Sequence, residues 1–155
     1  ENSNFVICSG AKSILDLSKT NELLETLGIT RIGYQTNYMP GFWYEETENK
    51  VDNKFDEIHE ISSFLKLNEN MGNKKSILIF NKVPLEKALN KNDVEKWINN
   101  ATIKADRNNI SGKELTPFLI KEINEQSKNE TLNANVSLII NNANLAGKIA
   151  KSFYS

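Results

Sequence analysis

The sequence predicts an α/β fold: three α/β/α layers around a mainly parallel central sheet, with a helical C-terminal third. Three observations carry this. Short apolar runs at 5–8, 31–36 and 76–80 alternate with longer amphipathic segments, as in strand–helix–strand units. The run "SILIF" (76–80) is apolar without interruption, which suits a strand buried on both faces of a parallel sheet. Beyond it the chain keeps a helical period to its end.

The first unit is strand, helix, strand. Phe5–Cys8 is a short β-prone run, and small residues (Ser9, Gly10, Ala11) follow it. A helix over 18–27 places Leu23, Leu24 and Leu27 on one face, with Gly28 as its stop signal. "RIGYQT" (31–36) is the second strand. So short a helical crossover predicts that the two strands are parallel and adjacent. A loop with an aromatic cluster, "YMPGFWYEETENK" (38–50), comes next. A helix from about Phe55 to Leu67 then carries Phe55, Ile58, Ile61 and Leu65 at helical spacing, and "NMGNKK" breaks it before the third strand.

The rest is helical. Asn92 with Glu95 reads as a capping box ahead of Val94, Trp97, Ile98, Ala101 and Ala105. After Gly112, Thr116 is a natural N-cap, with Pro117 at the tolerated first position. A last helix over about 131–152 aligns Leu132, Val136, Ile139, Ala143, Ala146 and Ala150 on one stripe, by which it should pack.

Composition bounds the function classes. At 155 residues the chain has the length of one domain, and no repeat or Pro/Gly/Ser linker divides it. A net charge of −1 gives no field that would draw nucleic acid or an anionic membrane. Lysine outnumbers arginine by 17 to 2, spread over surface and turn positions with abundant asparagine, so it reads as coding bias and not as a basic patch. No apolar run approaches the roughly 18 residues of a membrane span. The single cysteine, Cys8, rules out an internal disulfide or a Cys-based zinc site and suits a reducing, cytoplasmic setting. The opening "ENSN" has neither a methionine nor a signal-peptide layout, which reads as a fragment or processed product.

Lys12 is the residue that asks for an explanation. It is a single cation on a small-residue loop at the carboxyl end of a strand, the edge where open α/β sheets bind ligands. It reads either as a solvated loop lysine or as a Schiff-base nucleophile. The second role needs an amine of ordinary pKa near 10.4 brought toward neutrality. Burial against Ile7 and Ile14, and the positive end of the following helix, would act in that direction. "SGAKS" lacks the spacing of a phosphate-binding P-loop. His59, the only histidine, reads as a boundary residue of its helix. No His, Asp or Glu cluster has metal-ligand spacing, so no metal ligand is assigned. "FWY" (42–44) is either a lid over a ligand or a core or subunit contact, and Asn135 needs explaining if it faces the cleft.

Three blocks, "CSGAKSILDLSKTNELLETLGITRIGYQT" (8–36), "ISGKELTPFLIKEINEQS" (110–127) and "LNANVSLIINNANLAGKIA" (132–150), closely resemble the pseudouridine-5'-phosphate glycosidase family. They run in the same order, with "NKVPLE" (81–86) between. The resemblance covers the C-terminal half of the family's domain. Residues 1–155 are thus expected to be that half, with the N-terminal half outside this chain.

The resemblance implies a concrete chemistry. The family reversibly cleaves the C–C glycosidic bond of pseudouridine 5'-phosphate to uracil and ribose 5-phosphate. Lys12 matches the family's catalytic lysine, which attacks C1' of the ribose and forms an imine with the opened sugar. Asn135 matches an asparagine that reaches the substrate. The proton-donor glutamate, the phosphate-contacting lysine and the metal aspartate of the family fall before residue 1. A divalent metal, manganese, would therefore be held mainly by the N-terminal half. The implied partners are that half, a small-molecule substrate and two further copies in a homotrimer. "PGFWYEE" (40–46) departs from the family's usual loop. Two other readings stay open: a non-catalytic structural half-domain, and a related enzyme that forms C-glycosides.

Overall fold

A computed structural model describes residues 5–155, so the opening "ENSN" lies outside the described residues. Four parallel strands form one sheet in the order β1 (Phe5–Cys8), β4 (Ile77–Phe80), β2 (Thr30–Tyr34), β3 (Asn53–Phe55). The expected adjacency of the first two strands is corrected: β4 lies between them, with Ile77 opposite both Phe5 and Thr30. The reason is in its sequence. "ILIF" is the most apolar strand, and the central position gives it a ladder on each side and cover on each face. β3 was not expected, because "NKF" is three residues long and mostly polar.

Helix α1 (Leu17–Thr26) links β1 to β2, and α2 (Ile58–Asn70) links β3 to β4. The two crossovers run in opposite directions along the sheet. With right-handed connections they lie on opposite faces. Side chains agree. Ile32, Ile77 and Ile79 point to the face where Ile61 and Leu65 of α2 pack, together with Leu145 and Ile149 of α5 (Glu130–Tyr154). Arg31, one residue out of phase, points to the other face and binds Asn21 and Glu25 of α1, with Asp52 completing its set.

The second layer is therefore thin. α1 buries no side chain, and Leu23 and Leu27, expected on a packing face, are exposed along with Val6 of β1. The polar cluster around Arg31, which sits about 2.7 Å from Glu25, ties α1 to the sheet, and its first residue, Leu17, packs half-buried against the cluster that contains Trp43 and Val94.

A second core joins α3 (Lys91–Arg107), α4 (Leu115–Gln126) and the start of α5 around Val94, Ala101, Ala105, Leu119, Ile123 and Ala134. The periodicity expected for α3 is realised. Its cap differs: Asn90 accepts from the N–H groups of Asn92 and Asp93, two residues earlier than the expected Asn92–Glu95 box. α4 is led in by a 3-10 turn, so it starts at Leu115 and not after Thr116. In α2 the residues Glu57 and Glu60 form the capping box, and Phe55 leaves the helix for β3.

The expected stripe of α5 is also corrected. Its buried side chains are Thr131, Ala134, Leu138, Leu145 and Ile149, whereas Leu132, Val136 and Ile139 are exposed, with Ile140 beside them. This helix is apolar on two faces. Periodicity registers both and cannot say which one the rest of the chain covers.

Candidate active site

Because every strand is parallel, the loops after β1, β2 and β4 leave the same edge of the sheet. The first must turn at once. Gly10 does so at φ +86°, and a side chain there would place its Cβ 2.3 Å from the carbonyl oxygen of Pro40. Ser13 donates to the carbonyl of Gly41 at 2.5 Å. These contacts seat the Lys12 loop on the aromatic loop, and Leu15 N–H closes a turn on the Lys12 carbonyl at 2.8 Å.

A polar network fastens α5 to the strand ends. Ser9 is 2% exposed. Its hydroxyl accepts from Asn142 Nδ2 at 3.0 Å, and Asn81 Nδ2 donates to Asn142 Oδ1 at 3.1 Å. Asn141 Nδ2 donates to the carbonyl of Lys82 at 3.0 Å. The backbone N–H of Asn81 also extends the β1–β4 ladder by bonding Cys8 O at 2.9 Å. The sequence offered one sign of this, two adjacent asparagines directly after the apolar run Leu138–Ile140 inside the helix, where their propensity is poor.

Lys12 and Asn135 line one cleft of about 550 Å³, 123 positions apart in sequence but facing the same space. Trp43, Pro117, Ile120 and Leu132 make its wall mostly apolar, and Thr116, Lys121 and Asn124 add polar groups. Lys12 itself is exposed and not packed against Ile7 and Ile14 as expected. The following helix is capped by the Asp16 carboxylate, which accepts from Lys19 N–H at 3.0 Å and so meets its positive end before Lys12 can.

Asn135 is half-buried, and its Oδ1 accepts a 2.7 Å hydrogen bond from the indole Nε1 of Trp43. Trp43 and Tyr44 thus belong to the second core, while Trp43 also borders the cleft. Further along the edge, burial pushes the Glu46 carboxyl up, but hydrogen bonds from Thr36 (2.8 Å) and Lys82 (3.2 Å) outweigh it and hold the group below its ordinary value. Glu46 is a fixed carboxylate paired with Lys82. A second depression of about 580 Å³ lies between Glu45–Glu46 and Ala88–Lys91 and contains neither Lys12 nor Asn135.

Other candidates fall away from the cleft. Burial pushes the Cys8 thiol up against the opposing Gly10 N–H, which makes it a poor nucleophile. His59 is exposed on α2. Among the described residues no three His, Cys, Asp or Glu side chains are placed to hold a metal ion. No helix among them is long and apolar enough to cross a membrane.

Comparison with known proteins places this arrangement. The model of the indigoidine synthase A like protein family matches residues 1–152. A pseudouridine-5'-phosphate glycosidase of Kosmotoga olearia is 44% identical over 94% of this chain and 50% of its own length. One from Staphylococcus aureus is 41% identical over 94% of this chain and 47% of its own. The chain thus spans about half the length of the curated relatives it matches. Among solved structures, a prealnumycin C-glycosynthase in complex with ribulose 5-phosphate superposes with TM-score 0.91 at 27% identity, covering 99% of this chain and 50% of that one. An indigoidine synthase A-like protein of Thermotoga maritima gives TM-score 0.83 at 33% identity, over 96% and 49%. With a sequence match that runs almost end to end and a parallel sheet shared with both solved structures, the chain belongs to the indigoidine synthase A-like family.

Proposed function

We propose that this chain carries the nucleophile of a C-glycosidase that cleaves pseudouridine 5'-phosphate to uracil and ribose 5-phosphate. The observation that carries the reading is the shared cleft of Lys12 and Asn135, the two residues singled out from the family motifs. A C–C bond to a poor leaving group needs an electron push at C1', and the amine lone pair, which becomes the iminium as the bond breaks, supplies one where simple hydrolysis does not. In this scheme the Lys12 amine bonds to C1' as the sugar ring opens. The C1'–uracil bond then breaks with its electron pair going to the uracil carbon, which takes up a proton. Water hydrolyses the imine left on Lys12, releasing ribose 5-phosphate and restoring the amine. Asn135 holds a polar atom of the substrate beside it.

The remaining machinery is assigned to a complementing half of the domain. It would supply the proton donor, the phosphate contact and the ligands of a divalent metal, taken as manganese, and it would close over the exposed Lys12 and exclude water. Two apolar surfaces support a partner of this kind: Leu132, Val136, Ile139 and Ile140 on α5, and Val6, Leu23 and Leu27 on the thinly covered sheet face. A homotrimer of such complete protomers, working in the cytoplasm, is part of the same proposal.

A second reading, C-glycoside formation, is favoured by the superposition on a C-glycosynthase. One experiment tests both. The complete assembly is given pseudouridine 5'-phosphate in one arm and uracil with ribose 5-phosphate in the other, and the uracil absorbance is followed. Cleavage that disappears in Lys12→Ala supports the proposal. Turnover of neither pair supports a non-catalytic half-domain, and undiminished cleavage by Lys12→Ala removes Lys12 from the mechanism.

A further inference from the structure

The geometry points to Trp43 as the positioning residue that orients Asn135, so that this asparagine presents its amide N–H groups to the substrate. The inference rests on the reading of Asn135 as a substrate contact. It begins with the chemistry of the indole. Trp Nε1–H donates and cannot accept. The atom 2.7 Å from it on Asn135 is therefore the amide oxygen, and the rotation of the amide is decided by that single bond. With Oδ1 engaged, Nδ2 and its two N–H groups remain for the cleft. No other hydrogen bond of the Asn135 side chain occurs among the described residues. A substrate atom that bonds these N–H groups is an acceptor, such as a sugar hydroxyl or carbonyl oxygen.

Trp43 is built to stay in place. It is 2% exposed, and its backbone is held on both sides, with N–H to Gly41 O at 2.9 Å and C=O from Leu89 N–H at 2.8 Å. Its neighbour Phe42 takes φ +68°, an uncommon conformation for a bulky residue, and the two rings meet edge to face at 5.7 Å. A left-handed residue at this point turns the chain so that the indole reaches α5. Strain of this kind persists only where the surroundings fix it. The loop that carries Trp43 also seats Gly10 and Ser13, so the nucleophile and the asparagine are referenced to the same segment. The indole N–H, buried with its ring, takes its partner from α5, 92 positions away.

The test is a double-mutant cycle in the complete assembly with pseudouridine 5'-phosphate. Trp43→Phe removes the N–H and keeps an aromatic ring. It should lower kcat/KM about 10- to 100-fold, the scale expected when a reacting group is misplaced. In the N135A background the same change should cost less than about twofold, since nothing remains to orient. Equal losses in both backgrounds would mean that Trp43 acts by packing, and no loss in either would remove it from the site. Both results overturn the inference.

Asn135→Asp separates the roles of the two ends of the amide and does not depend on Trp43→Phe folding. It keeps an acceptor for the indole and removes the donors. Hydrogen exchange at the Trp43 indole should stay slow in N135D and become fast in N135A, while turnover falls in both. Wild-type turnover by N135D would overturn the donor assignment. If N135A itself turns over normally, Asn135 is no substrate contact and the reading beneath the inference fails. If N135A is damaged and W43F is not, only the inference fails.

Discussion

Replacing Asn142 by alanine should loosen the fastening of α5 to the strand ends and, with it, the loop that presents Lys12. In the native structure Asn142 is the hydrogen-bond partner of the Ser9 hydroxyl and of Asn81 Nδ2, both on residues less than a tenth exposed. Truncation leaves these two buried groups unpaired. Each costs about 1–3 kcal/mol when orphaned. Against this, alanine is the better helix former by roughly 0.6 kcal/mol. The net destabilisation should be about 1.5–5 kcal/mol, which for a domain of this size lowers Tm by about 3–20 °C. Urea and thermal unfolding followed by circular dichroism measure it. The double replacement Ser9→Ala with Asn142→Leu should recover part of the loss, because removing both partners of a buried pair is far less costly than removing one. A Tm change below about 1 °C for N142A, or a double variant less stable than the single, would refute the argument that this network is what positions the loop.

Further outcomes follow from the same contacts. Gly10→Ala should cost about 1–3 kcal/mol, since a Cβ there meets the Pro40 carbonyl at 2.3 Å in a left-handed backbone; denaturant titration reads it. Burial raises the Asp52 carboxyl, but hydrogen bonds from the Arg31 side chain and backbone N–H more than offset this, so its folded value lies below the unfolded one. Its contribution is therefore complete above about pH 4 and lost as pH falls through the folded value. Asp52→Asn should flatten the acid limb of the stability profile, as pH-dependent urea titrations will show. Ile139→Lys should leave the stability of this chain within about 0.5 kcal/mol, because Ile139 is 69% exposed, yet weaken its association with the complementing half in a pull-down. In a Trp97→Phe variant, the remaining Trp43 should change its fluorescence as ribose 5-phosphate enters the cleft.

How far the sequence could be read depended on whether a signal was local. β4 was legible because two-face burial leaves "ILIF" no polar residue, and α3 because Val94, Ala101 and Ala105 keep one helical phase. The adjacency of β1 and β2 was misjudged because a crossover specifies handedness but not whether a strand is skipped, and β4 enters between them from a segment that comes after both. β3 escaped because three polar-leaning residues carry no period. On α5 both apolar faces produce the same periodicity, and burial depends on what lies opposite. At the candidate site, Lys12 stood out on composition alone, as one cation among small residues. The aromatic run at 42–44 and the asparagine pair at 141–142 were visible too, but their pairings with Asn135 and Ser9 were not, since those bonds join segments 92 and 133 positions apart.

The central claim is that Lys12 is the covalent catalyst, and reductive trapping tests it most directly. The complete assembly is incubated with ribose 5-phosphate and borohydride, digested, and the modified peptide is identified by mass spectrometry. The account predicts one stable secondary amine, on Lys12, at a mass matching the reduced sugar phosphate adduct. Lys12→Arg should give no adduct, because a guanidinium stays protonated and cannot attack the open-chain aldehyde. An adduct spread evenly over the 17 lysines, or one found elsewhere with Lys12 unmodified, would contradict it.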